Sequence, residues 1–119
     1  MRQNDRVTTS PPDLADACCA PLVRDAMTAE NAATVAARFK AIGDPTRLRL
    51  LSLVAAHEDA EACVCDLTEP VNLSQPTVSH HLKVLVDAGL LTRSKRGTWS
   101  FYALVPGALD QLAGILRTP

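Results

Sequence analysis

Aromatic side chains are scarce in this sequence: one Trp, one Tyr and two Phe among 119 residues. A hydrophobic content of 47% still lets the chain fold, so the core has to be aliphatic, built from Leu, Val and Ala. No run approaches the roughly 18 apolar residues of a membrane span. The leading Met1-Arg2-Gln3-Asn4-Asp5-Arg6 lacks the apolar stretch of a secretion signal. These absences make a cytoplasmic protein with reduced thiols, and no membrane partner, the expectation. There is no glycine-rich phosphate loop, and no Cys–His pair has a nucleophile's setting, so an enzyme is not expected. Nor is positive charge in excess: 12 Lys and Arg against 13 Asp and Glu give a formal net charge of −1, which provides no overall electrostatic footprint for a polyanion. The length suits a single domain, small enough for a partner chain to help stabilise it.

What charge there is has been segregated. Asp13, Asp16, Asp25, Glu30, Glu58, Asp59, Glu61, Asp66 and Glu69 hold most of the acid upstream. From Asn72 to Trp99 the chain carries Lys83, Arg93, Lys95 and Arg96 against the single acid Asp87. The cysteines are grouped too. All four fall in two clusters, Cys18-Cys19 and Cys63-Val64-Cys65. Thiolates are soft donors for soft cations and thiophilic metalloids. A lone cysteine is more often a small buried hydrophobe, but two adjacent ones in a polar stretch have no core to fill.

Residues 1–27, with Ser10-Pro11-Pro12 and weak periodicity, read as a flexible arm bearing Cys18-Cys19. Residues 28–119 read as the folded domain. Thr28 can cap a helix whose apolar positions Ala32, Val35, Ala36, Phe39 and Ile42 follow helical spacing, and Gly43 stops it. Asp44-Pro45 starts the next, with Asp as N-cap and Pro in the first turn. That helix carries Leu48, Leu50, Leu51, Leu53 and Val54, apolar most of the way round, and is expected at the buried centre. A polar loop over His57–Glu61, with His57 solvated, leads to a short helix from about Cys63 to Pro70 and a turn at Val71-Asn72-Leu73. Ser74 caps a helix with Val78, Leu82 and Leu85 on one face and Gln75, Ser79 and Lys83 on the other. Gly89 ends it. Leu90–Ser94 and Thr98–Leu104 read as strands around a Lys95-Arg96-Gly97 turn. In the second, Trp99, Phe101 and Ala103 alternate with Ser100 and Tyr102. Pro106 opens a last helix with an apolar stripe of Leu109, Leu112, Ala113 and Leu116. The fold class is mainly α (α+β): a winged helix-turn-helix of five or six helices with a two-stranded β-hairpin wing.

A helix that enters a major groove needs short polar side chains near its N-terminus, and Gln75, Thr77, Ser79, His80 and Lys83 meet that need. The alternative is an ordinary amphipathic helix with a solvated polar face. Arg93, Lys95 and Arg96 beside a short turn favour the first reading, as a wing on the phosphate backbone of double-stranded DNA.

Phe39-Lys40-Ala41-Ile42-Gly43-Asp44-Pro45-Thr46-Arg47-Leu48-Arg49-Leu50-Leu51 resembles the second-helix signature of the ArsR/SmtB family of metal-responsive repressors. Cys63-Val64-Cys65-Asp66-Leu67 is similar to that family's metal-binding box, and Ser74-Gln75-Pro76-Thr77-Val78-Ser79-His80-His81-Leu82 to its recognition helix. The resemblance covers about residues 30–117. It implies a homodimer on a palindromic operator, paired through the first and last helices (here the strips led by Val35 and Leu112) and released when an ion binds. Some members bind zinc on the last helix. Here that helix has Asp110 but no His or Cys, so a zinc site there is not expected.

The geometry of the box limits what it can do alone. In a regular helix positions i and i+2 point about 200° apart. Cys63 and Cys65 can therefore share an ion only if the helix start is unwound, or else one thiol faces elsewhere. Arsenite-sensing relatives have a third cysteine where this chain has Thr68. Resemblance to relatives with arm cysteines implies Cys18 and Cys19 as the missing donors, from the same or the opposite protomer. As(III), which prefers three thiolates, is favoured, with Sb(III) following the same chemistry, because no hard oxygen or imidazole donor is expected near the box. Cd(II) or Pb(II) would accept three or four thiolates. The expected function is a transcriptional repressor that leaves its operator when As(III) or Sb(III) binds Cys18, Cys19, Cys63 and Cys65, derepressing arsenic-resistance genes. The rivals are a Cd(II)/Pb(II) sensor of the same family, a thiol-redox regulator using a disulfide, and a plain interaction module. The last leaves both the basic hairpin and the thiols without a role.

Overall fold

Local chemistry sets where the helices begin. The computed structural model describes residues 26–117. Among them are five α-helices and three strands: α1 (Ala29–Ile42), α2 (Pro45–Ala56), β1 (Glu61–Cys63), α3 (Val64–Val71), α4 (Gln75–Asp87), β2 (Leu91–Arg96), β3 (Trp99–Leu104) and α5 (Ala108–Leu116). Thr28 caps α1 by accepting from the Asn31 N–H at 3.1 Å. Asp44 caps α2 by accepting from the Arg47 N–H at 3.1 Å, with Pro45 in the first turn. Ser74 caps α4. All three caps satisfy amides that the first helical turn leaves without partners. The proposed arm lies outside the described residues except for its last two, of which Met27 packs against the core. No helix among the described residues is long and apolar enough to cross a membrane.

The hydrogen bond from the Arg47 N–H holds the Asp44 carboxyl below its ordinary value of 3.8; desolvation opposes this, and the Arg47 charge adds to it. A lowered folded value means that ionised Asp44 stabilises the fold above pH 3.8, and that this contribution is lost as the pH falls through the lowered value. Asp44→Asn keeps a capping oxygen without the charge. It is expected to lose less stability than the wild type between about pH 5 and about pH 2, read from urea midpoints.

The core is aliphatic. Leu50, Val54, Leu67, Val78, Leu82, Leu85 and Leu90 are fully buried, and Tyr102 is the one buried aromatic among the described residues. Helix α2 is less enclosed than its composition suggests. Leu50, Leu51 and Val54 face inward, but Leu48 is 55% exposed, because only one side of the helix meets its neighbours. Val35 and Leu112 are likewise inside the protomer, while Leu109 and Leu116 of α5 stay exposed. Arg38 ties α1 to α5, donating to Gln111 Oε1 at 3.2 Å.

The wing is the expected two-stranded hairpin, β2 paired with β3, and a third strand that the sequence did not reveal extends its sheet. The sheet has three antiparallel strands in the order β1-β3-β2. The polar loop after α2 is a short 3-10 turn over Glu58–Ala60, with Asp59 and Ala60 at positive φ. It swings Glu61–Cys63 onto the free edge of β3, pairing Ala62 with Tyr102 and Cys63 with Phe101. The wing's strand runs on through Arg96, and the turn falls at Gly97-Thr98, with Gly97 at φ +66°. Lys95 and Arg96 are therefore strand residues, and their side chains go to opposite faces. On β3 the core takes Tyr102, leaving Trp99 49% exposed.

Candidate functional site

Helix α3 packs against α4, and the turn between them closes on Asn72. Asn72 takes the left-handed conformation (φ 56°), and its N–H bonds the Thr68 and Glu69 carbonyls. An Asn tolerates this geometry better than most residues. Helix α4 then buries Val78, Leu82 and Leu85 completely and exposes Gln75, Thr77, His80 and Lys83, with Ser79 half-buried. Thr77 is partly engaged by the cap, accepting from the Ser74 hydroxyl at 3.0 Å.

A groove of about 840 Å³ separates α4 from the wing, and Gln75, Ser79, Lys83, Arg93, Lys95 and Trp99 line it. Five of the eight residues expected to contact DNA thus converge on one surface. Thr77, His80 and Arg96 do not line it. Its cations are lightly held. Lys83 pairs with Asp87 at 2.7 Å, both well exposed, a pairing that contributes little in water. Arg93 donates to Ser100 Oγ at 3.0 Å. Arg96 lies on the other face of the sheet, bonded to Glu61 Oε2 at 2.6 Å. The exposed Trp99 is not among the residues expected to contact DNA; its alternation with Ser100 and Tyr102 suits a buried residue as well.

A second network ties the reading helix to the domain. Arg47 Nε donates to the Ala41 carbonyl at 2.6 Å, and Nη1 lies 3.2 Å from His81 Nδ1. An arginine only donates, so His81 Nδ1 accepts and its proton sits on Nε2. His81 is accordingly a packing contact between α2 and α4.

At the thiol box the helix begins one residue later than expected. Cys63 is the extended N-cap of α3 (φ −74°, ψ 148°), ending β1, and Cys65 stands inside the first turn. Outside the helix, Cys63 is freed from the 200° divergence of regular i and i+2 positions. The two side chains converge, with Cα atoms 5.1 Å apart and the sulfurs joined as a disulfide. Cys63 is buried and Cys65 exposed. The Cys63 sulfur accepts from the Cys65 N–H at 3.2 Å, and Asp66 Oδ2 accepts from the Cys63 N–H at 3.2 Å, a capping box with sulfur in the hydroxyl's place. The C-x-x-D spacing could have revealed it.

His57 is not the solvated loop residue expected. Its Nδ1 lies 2.8 Å from the Leu53 carbonyl, which can only accept, so Nδ1 donates, and Nε2 lies 4.0 Å from Asp66 Oδ2. Oxygen and imidazole groups therefore do stand beside the box, contrary to expectation. Even so, no group of three or more His, Cys, Asp or Glu side chains is placed to hold a cation among the described residues. Cys18 and Cys19 lie outside the described residues.

This architecture, with its reading helix and wing, defines a winged helix-turn-helix protein. The profile described as the bacterial regulatory protein arsR family matches residues 44–93. The chain is 43% identical over 67 residues to the arsenical resistance operon repressor of Bacillus subtilis, covering 56% of this chain and 62% of that one. It is 44% identical over 74 residues to the repressor of the same name from Staphylococcus xylosus, covering 62% and 68%. Among solved structures it is similar to the AntR antimony-specific transcriptional repressor, with a TM-score of 0.64, 34% identity, and coverage of 76% of this chain and 80% of that one. The chain belongs to the arsR family of DNA-binding transcriptional regulators.

Proposed function

We propose that this protein represses an arsenic- or antimony-resistance operon as a homodimer, and leaves the DNA when a thiophilic metalloid binds its cysteines. The observation that carries the reading is the convergence of Cys63 and Cys65 at the start of α3, the helix packed against α4. In reduced form the pair would offer two thiolates at one point, fitting two of the three bonds As(III) prefers. The third would come from Cys18 or Cys19 in the arm. The names of the arsenical and antimony repressors to which the chain is similar support the same guest. Because Asp66 and His57 stand nearby, Cd(II) and Pb(II) are disfavoured by those names rather than by the local donor set.

On the DNA side, Gln75, Ser79 and Lys83 would face base edges while Arg93 and Lys95 hold phosphate, with affinity falling steeply as salt rises. Thr77 and His80, exposed on the same helix, would reach the flanking backbone. The partner protomer would dock on α1 and α5, where Ala32, Ala36, Leu109, Ala113 and Leu116 leave apolar surface outside the core. By linkage, the guest must bind the released form more tightly than the operator-bound form.

The Cys63–Cys65 disulfide itself favours a second reading, in which two-electron oxidation of the pair is the signal. Titrating arsenite into operator-bound protein under an excess of non-chelating reductant separates the two. Release at a stoichiometric dose, with a coupling of about 3 kcal/mol or roughly 150-fold in operator affinity, supports metalloid sensing. Release only on oxidation, with none on arsenite, would replace it by the redox reading.

A further inference from the structure

Arg96 is set apart from the other wing cations. Strand alternation places Arg93 and Lys95 on the groove side with Ser100 and Tyr102, and Arg96 on the opposite side with Phe101. On that side its guanidinium carbon sits 4.4 Å from the centroid of the Phe101 ring, and Nη2 reaches Glu61 Oε2 at 2.6 Å. Arg96 therefore spans the sheet from the wing strand β2, over β3, to the edge strand β1. Glu61 and Cys63 alternate onto the same face of β1, and Cys63 is the direct cross-strand partner of Phe101. One face of the sheet thus carries a continuous line from the thiol at the start of α3, through Phe101 and Glu61, to the wing. The contacts are of a kind that can hold. Arg96 is 55% exposed and Glu61 27%, so water screens the ion pair in part, and the Phe101 ring adds a cation–π attraction.

We propose that Glu61 and Arg96 form a brace through which the chemical state of Cys63 sets the position of the wing. Arg96 is then a positioning residue for Arg93 and Lys95 and not itself a phosphate contact. The proposal rests on the thiol-sensing reading and adds its route: a guest or bond that moves Cys63 moves β1, and β1 carries the wing with it.

The full-length, reduced protein provides the test through Glu61→Gln, which is isosteric, and Arg96→Gln. Operator affinity is measured across a salt series with and without saturating arsenite. Trp99, the only tryptophan in the chain and the cross-strand partner of Arg96, reports on the wing by fluorescence. In Glu61→Gln the guest-free operator affinity should stay within about twofold, and in Arg96→Gln it should fall by no more than about fivefold as Arg93 and Lys95 lose their positioning, in both cases with an unchanged salt slope, since no phosphate contact is removed. The release factor should fall from roughly 150-fold to below about 30-fold, and the Trp99 response to arsenite or to thiol oxidation should be lost. A drop in guest-free affinity for Arg96→Gln with the salt slope reduced by about 1 would make Arg96 a direct phosphate contact and overturn the brace. Full release by arsenite from Glu61→Gln would overturn it as well, as would a wild-type Trp99 silent to both arsenite and oxidation. If arsenite fails to release the wild type while Trp99 still answers oxidation in a Glu61-dependent way, the metalloid reading fails and the brace stands.

Discussion

Replacing Cys63 and Cys65 together by serine is expected to leave operator binding intact and to abolish release by arsenite. Structure and chemistry separate cleanly at this pair. Cys63 serves as the N-cap of α3 through its sulfur, and serine is among the preferred capping residues, so the helix should start where it does now. Its oxygen, however, is a poor donor for a thiophilic guest. Loss of the proposed coupling corresponds to about 3 kcal/mol, or a change from roughly 150-fold weakening on guest binding to none. Fluorescence anisotropy of a labelled operator, titrated with the variant with and without arsenite, reads this directly. Arsenite release that persists undiminished would exclude the box from sensing.

Leu82→Ala is expected to have the largest effect on the fold itself. Leu82 is 0% exposed, on the inner face of the reading helix. Truncating a fully buried leucine removes its transfer free energy and leaves a cavity, at a cost of about 2–5 kcal/mol. Small domains are stable by only about 5–15 kcal/mol in total. The urea midpoint should therefore fall sharply with the m-value unchanged. Leu48→Ala on α2 is the control, since at 55% exposure it should shift stability by no more than about 0.5 kcal/mol. Equal losses at the two positions would mean that Leu48 is covered in solution, as by another chain.

Much of this architecture was legible in the residues because its punctuation is local. Thr28, Asp44 and Ser74 announce helix starts by side-chain chemistry that needs no tertiary context. The inward face of α4 follows from its period alone. Strand β1 did not show, because three residues carry no measurable alternation and pair with β3 some 40 positions away. The wing's register did not show either. Moving the turn from Lys95-Arg96-Gly97 to Gly97-Thr98 turns Arg96 from a loop cation into a strand residue with a fixed face. At the thiol box everything hung on one residue. Two sulfurs diverge if the helix begins at Cys63 and meet if it begins at Val64, and element ends are uncertain by more than that. The residues proposed to face DNA share a chemical type that the sequence shows, but which of them line one groove depends on how the sheet packs against α4.

Gly89 follows the end of α4 at φ +81°, and a methyl group there would lie in ordinary contact with the Arg38 guanidinium, 3.5 Å away, so the backbone angle and not crowding favours glycine. The same arginine spans α1 and α5 through Gln111. If those two helices are where a second copy seats, one side chain stands at once beneath the proposed subunit contact and against the stop of the element that reads sequence. Assembly and alignment would then be a single event: two protomers that pair correctly also present their helices at the right pitch, and a loosened pairing would blur recognition before any contact to a base is lost.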